Sequence, residues 1–282
     1  MKTVILNIIS TAYSGSTWVN MMLGSHSQSF SVGEMKRIFK AEQAQCSIHG
    51  SDCPIWSRFD LHADESPFAQ IARLAGRRVL VVNNARKQVP AHDDAALHTR
   101  FIHLIRDGRA VVASYLRKSE GESAFRAARW WRHGVRRNRR FLNRHPAGDR
   151  IDVCYERLCR EPEPTLRDIC RFLDLDFEPS MLEYWKHVEH FIGGNRGTLL
   201  HVARSHGLEL PAPTRETVGD APRKTWDLGY YERQTPRTFS DERWKRELTG
   251  ARLRVFDLVA GRLNRKLGYD AAQPSPGRRT VV

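Results

Sequence analysis

Residues 4–23, VILNIISTAYSGSTWVNMML, decide how the rest of the chain is read. Val4-Ile5-Leu6-Asn7-Ile8-Ile9 is a short apolar run, the pattern of a strand buried on both faces. It breaks into Ser10-Thr11-Ala12-Tyr13-Ser14-Gly15-Ser16-Thr17, small hydroxyl residues around one glycine, and Trp18-Val19-Asn20-Met21-Met22-Leu23 then opens a helix-compatible run. Strand, small-residue turn and helix start aim several backbone N–H groups at one point, where the helix terminus adds partial positive charge. The turn therefore predicts an anion site of the kind that holds a nucleotide phosphate. A helix cap rich in Ser and Thr is the simpler structural alternative. An NTPase loop would carry Gly-Lys-Ser or Gly-Lys-Thr, and a dinucleotide fingerprint three glycines. Neither occurs in this turn, which has one glycine and no lysine.

At 282 residues the chain can bury a substantial core. Its 40% apolar and 28% charged content is ordinary for a globular protein, and no apolar run approaches the length of a membrane span. The apolar part of the N-terminus is too short for a secretory signal, so the expected location is cytoplasmic. A net charge of +14 calls for an anionic counterpart. Arginines crowd residues 126–150, as in Arg136-Arg137-Asn138-Arg139-Arg140, without aromatic residues interleaved for base stacking. The expectation is a solvated basic face that attracts anionic substrates or membrane headgroups peripherally, and no nucleic-acid partner. The sequence carries no mark of an oligomeric state.

Strand-like and helix-like runs alternate, which predicts an α/β fold with a mostly parallel sheet flanked by helices. Further strands are expected at residues 30–34, 78–84, 101–106 and 150–155, with helical periodicity over 110–144 and a helix from Pro164 to Leu173. Residues 193–237, rich in Gly, Pro and Thr, read as long loops. Residues 240–267 form a closing helical region, with Ser240 or Asp241 as N-cap and Gly268 as stop. One domain, 1–269, and a disordered tail, 270–282, are expected. Cys154, Cys159 and Cys170 read as reduced, packed thiols. Cys46, His49 and Cys53 form C-x2-H-x3-C, which offers three metal ligands with no fourth evident nearby. A loop-stapling pair or two packed thiols is therefore expected there.

His103-Leu104-Ile105-Arg106-Asp107-Gly108-Arg109 with Ser114 makes a second strand-turn-helix unit. Its arginine fork and hydroxyl suit a second phosphate. In carrying both units, the chain resembles the sulfotransferases that use 3′-phosphoadenosine 5′-phosphosulfate (PAPS). Tyr13-Ser14-Gly15-Ser16-Thr17-Trp18 is similar to their 5′-phosphosulfate loop, and Arg106 with Ser114 to their 3′-phosphate motif. Val32-Gly33-Glu34 resembles a segment of carbohydrate and tyrosyl-protein members. Cys46 to Trp56 resembles an insert of bacterial members, and Gly193-Gly194-Asn195-Arg196 a C-terminal pattern. The likeness spans most of residues 3–269.

What the resemblance implies is specific. The fold is P-loop-like, with three layers around the sheet. The cofactor is PAPS, leaving as 3′-phosphoadenosine 5′-phosphate, with no metal required. Ser14, Gly15, Ser16, Thr17 and Trp18 would hold the 5′-phosphosulfate, Arg106 and Ser114 the 3′-phosphate, and Asn195 and Arg196 would close over the nucleotide. Glu34 is the candidate base, ahead of His92 and His103. Tyr13 stands where the family carries a cation, so Lys87, or else Arg86, is expected to supply that charge. The acceptor is a hydroxyl on a small molecule, glycan or glycolipid.

Overall fold

The computed structural model describes residues 2–39, 44–86, 96–119, 121–211, 228–236 and 240–269. Five strands form one sheet: β1 (Thr3–Ile9), β2 (Ser29–Gly33), β3 (Val79–Asn83), β4 (Leu97–Ile105) and β5 (Arg150–Cys154). Their order is β2-β3-β1-β4-β5, and all four pairings are parallel. β1 is central, pairing Val4 with Val79 on one side and with His98 on the other. A strand in that position meets helices on both faces, which is why its run is uniformly apolar rather than alternating. Ile5, Leu6, Ile8 and Ile9 are fully buried, each side chain contributing about 1.5–3 kcal/mol of apolar burial.

The helices that position the site leave from strand ends. These are α1 (Ser16–Gly24) after β1, the short α2 (Met35–Ile38) after β2, and α3 (Pro67–Ala75) before β3. Next come α4 (Gly108–Lys118) and α5 (Ala124–Leu142), then α6 (Tyr155–Arg160), α7 (Pro162–Phe172) and α8 (Arg196–Ser205). α5 buries Ala127, Ala128, Trp131, Gly134, Val135, Asn138 and Leu142, a stripe at helical spacing, and turns its arginines outward. The C-terminal stretches Gly250–Phe256 and Arg262–Lys266 pack against α5 through a cluster that includes Trp131 and Phe256.

Three expectations need correction. The periodic stretch 110–144 is two helices, because Ser123 starts a new one by accepting from the Arg126 N–H. Residues 193–237 are not all loop: they contain α8, capped by Asn195, and a short helix at Leu228–Glu232. The closing region starts at Trp244 and is broken at Thr249, before Gly250 at φ +55°. Lys87, His92 and the tail 270–282 lie outside the described residues.

Candidate functional site

β1 lies at a topological switch. Its connection runs through α1 to β2 on one side, whereas β4 leaves through α4 and α5 to β5 on the other. Crevices beyond the carboxyl ends of parallel strands form where neighbouring connections part in this way. The loop after β1 sits there, and its backbone is shaped for it. Tyr13 has φ +66° and Gly15 φ +86°; a side chain at Gly15 would also meet the Tyr155 ring at 2.5 Å. Ser14 is buried, its hydroxyl 2.9 Å from that of Thr11, and Asn84 Oδ1 accepts the Ser10 N–H. Gly15 is the N-cap of α1, and no side chain among the described residues caps the helix. The first turn of such a helix presents N–H groups that suit an anion. The Trp18 indole points into the core, edge-on to Tyr155.

The second turn is built the opposite way. The Asp107 carboxylate accepts from the Arg109 N–H and guanidinium and from Asn264 Nδ2, while Asn264 Oδ1 accepts the Gly108 N–H. The α4 terminus is thus closed by the protein itself, whereas the α1 turn is the cradle without a side-chain cap. Arg106 joins the two units: Nη1 donates to the Tyr13 carbonyl (2.8 Å) and Nη2 to the Asp241 carbonyl (3.2 Å), with the guanidinium 4.4 Å over the Tyr155 ring. Ser114 is buried on α4.

A strap formed by residues 191–195 connects the sheet edge to this cradle. Ile192 exchanges backbone hydrogen bonds with Val32 and Glu34 beside β2, and the Asn195 N–H donates to Thr17 Oγ1 (3.0 Å). Glu34, at the end of β2, pairs with Arg37 Nε at 2.5 Å and lies under Gly193. The Asn195 side chain caps α8 by accepting from Gly197 and Thr198 N–H, and its Nδ2 bonds Tyr231. Its backbone, rather than its side chain, reaches the loop. Arg196, half-buried at the start of α8, has no ion-pair partner among the described residues, and burial lowers its pKa.

Residues 97–179 match the profile of the sulfotransferase family. The chain is 33% identical over 96 residues, 31% of its length, to a candidate protein-tyrosine sulfotransferase of Caenorhabditis briggsae. That match spans about a third of the relative's length. Among solved structures, the sulfotransferase domain of the Synechococcus PCC 7002 olefin synthase aligns at TM-score 0.53 and 21% identity, covering 96% of this chain and 97% of that one. The sulfotransferase domain from the curacin biosynthetic pathway aligns at 0.51 and 20%, covering 77% and 95%. These two likenesses are of fold. The likeness in sequence to sulfotransferases is thus carried by residues 97–179, and the likeness in fold by the chain as a whole.

Sequence reasoning missed a group of cations around Tyr13. The Lys118 ammonium, at the end of α4, lies 5.1 Å from the Tyr13 ring centre. Burial, and then the like charges of Arg117 and Arg243, push its pKa down to about 8. Burial alone would raise the Asp241 carboxyl, but its fork with Arg243 and the charges of Arg106, Arg243 and Arg117 hold it down to about 2. Tyr13 itself packs against the Tyr115–Trp130 pair, each ring centre 6.2 Å away. In sequence, Lys118 looks like an ordinary basic residue at a helix end. Only the 3.6-residue spacing from Ser114 places both on one face of α4.

Proposed function

We propose that this chain transfers the sulfuryl group of PAPS to a hydroxyl acceptor. One observation carries the reading: the uncapped α1 terminus after the central strand, braced by Arg106 from the second unit. A bare helix terminus at the switch point takes the 5′-phosphosulfate, and a second clamp beside it gives preference for a 3′,5′-bisphosphate. Ser14, Gly15, Ser16, Thr17 and Trp18 are assigned to the first group through backbone N–H groups and hydroxyls. Arg106 and Ser114 are assigned to the 3′-phosphate, and Arg196 borders the nucleotide beside Thr17. The site chemistry needs no metal.

In the reaction the acceptor oxygen attacks sulfur in line, the bond from sulfur to the bridging phosphate oxygen breaks, and the acceptor proton passes to Glu34. The nucleotide 3′-phosphoadenosine 5′-phosphate leaves. Charge develops on its phosphate, so donors already aimed there lower the barrier. The family's loop cation is replaced by Tyr13, and Lys118 is the described cation nearest that ring. Lys87 remains a candidate for the same role. The acceptor is a hydroxyl on a carbohydrate, glycolipid or other metabolite. A tyrosyl acceptor is the second reading, favoured by the name of the nematode relative.

Binding tests the reading directly. 3′-Phosphoadenosine 5′-phosphate should stabilise the protein in a thermal-shift assay far more than adenosine 5′-monophosphate or ATP with magnesium. Arg106→Ala should remove a few kcal/mol of that binding, the scale of a charge-assisted fork. Equal responses to all three nucleotides would overturn the assignment. Transfer from labelled PAPS to a panel of glycans, glycolipids and tyrosyl peptides then identifies the acceptor.

A further inference from the structure

We propose that Cys46, His49, Cys53 and His190 form a structural zinc site that clips the strap of residues 191–195 to the turn after α2. The sequence shows three of the ligands; the fold supplies the fourth from a distant position. Ligand atoms of Cys46, His49 and Cys53 lie within 4.8 Å of one another. His49 Nδ1 is 3.4 Å from Cys46 Sγ, and His190 Nδ1 is 3.2 Å from Cys53 Sγ. The two imidazole rings are 4.9 Å apart. In a tetrahedral site with Zn–S of about 2.3 Å and Zn–N of about 2.0–2.1 Å, sulfur and nitrogen ligands stand roughly 3.5 Å apart. The Cys46–His49 and Cys53–His190 separations have that size; His190 stands outside the close trio and meets the set through Cys53, and two sulfurs with two imidazoles are a donor set that suits zinc.

The surroundings fit the same purpose. Both cysteines are fully buried and unpaired as a disulfide, while His49 and His190 are half-buried and leave a path of entry. Cys46 Sγ accepts backbone N–H groups from Ile48 and His49, each at 3.4 Å. Two N–H groups on the sulfur fix its direction, as outer hydrogen bonds do for a metal ligand. The His190 ring is stacked on Phe30, and its carbonyl accepts the Trp56 indole N–H, so the ring is oriented before any metal arrives. Two further bonds run from the turn to the strap, Ser47 N–H to the Phe191 carbonyl at 2.7 Å and Gly193 N–H to Ser47 Oγ at 2.8 Å. A metal here would hold the strap that carries Asn195 to Thr17.

The test is metal content of the full chain purified without a chelating tag, read by elemental analysis, together with the visible spectrum after replacement by Co²⁺. About one zinc per chain is expected, with tetrahedral thiolate-cobalt bands on replacement. Cys53→Ser and His190→Ala should lose both. His190→Cys should keep the metal and gain thiolate-to-cobalt charge transfer, a readout that misfolding does not produce. Failure of the wild-type chain to bind either metal would overturn the proposal. So would full retention in His190→Ala, or a Cys46–Cys53 disulfide shown by two missing thiols under denaturing, non-reducing conditions. None of these readouts depends on nucleotide binding, so the site stands or falls apart from the sulfuryl-transfer reading.

Discussion

Tyr13 and Lys118 show what one residue can change at the cradle. A tyrosine hydroxyl donates one hydrogen bond without charge, so any positive field at this point must come from neighbours. Lys118 is the described ammonium stacked on that ring, and its pKa of about 8 makes its charge conditional near neutral pH. The folded pKa lies below the ordinary value of 10.5, so between about 8 and 10.5 the unfolded chain holds a proton that the folded chain has released. Stability linked to Lys118 must rise as pH increases through that window. Affinity for 3′-phosphoadenosine 5′-phosphate should fall over the same range, because the anion loses a cation. Lys118→Met should flatten both trends in thermal-shift and calorimetric titrations at a series of pH values. Unchanged slopes in that variant would remove Lys118 from the site. At Glu34 the expectation is different in kind: Glu34→Gln should cut turnover by about 10²–10⁴ while nucleotide affinity stays nearly constant. Near-normal turnover would leave the Arg37 pair as its whole role.

At the scale of elements, α1 and α8 converge on Thr17 by different means. α1 starts without a side-chain cap, whereas α8 is capped by Asn195, whose own N–H donates to Thr17. Asn195→Ala should therefore cost about 1 kcal/mol of stability, while Asn195→Ser, which keeps a capping oxygen, should cost a few tenths. If both variants unfold like the wild type in urea but lose nucleotide affinity equally, the side chain acts on the ligand and not as a cap. β1, β3 and the second half of β4 were legible because a parallel sheet buries both faces, leaving dense apolar runs such as residues 79–82, whereas the edge strands β2 and β5 are mixed in sequence. α8 was hidden by its neighbours, since Gly193, Gly194 and the Pro/Thr-rich stretch beyond outweighed one Asn at a cap position. The cradle could be read because its residues are contiguous. His190, Tyr155 and Lys118 could not, because only the folded chain brings them against Cys53, Gly15 and Tyr13.

Over the whole molecule, charge is the property that local geometry does not explain. The net charge of +14 far exceeds what two phosphate groups need, and much of the excess stands on the outer face of α5, where Arg129, Arg136 and Arg140 are exposed. α5 also carries Trp130, which packs on Tyr13, so the helix itself borders the cradle. No helix among the described residues is long and apolar enough to cross a membrane. A field of this size acts on ligands before contact: it raises the rate at which a polyanionic nucleotide arrives and leaves its departure to the bonds in the site. Salt shortens the reach of such a field to about 8 Å at physiological strength. Stopped-flow association of a fluorescent 3′-phosphoadenosine 5′-phosphate analogue should therefore slow by roughly 3–10-fold between low and physiological salt, with little change in dissociation. Combined reversal of Arg129, Arg136 and Arg140 to Glu should produce a similar slowing at low salt, because none of the three is assigned to a phosphate. An association rate indifferent to those reversals would confine the useful positive charge to Arg106, Arg117, Lys118 and Arg243. The basic face of α5 would then have to serve an anionic partner other than the nucleotide.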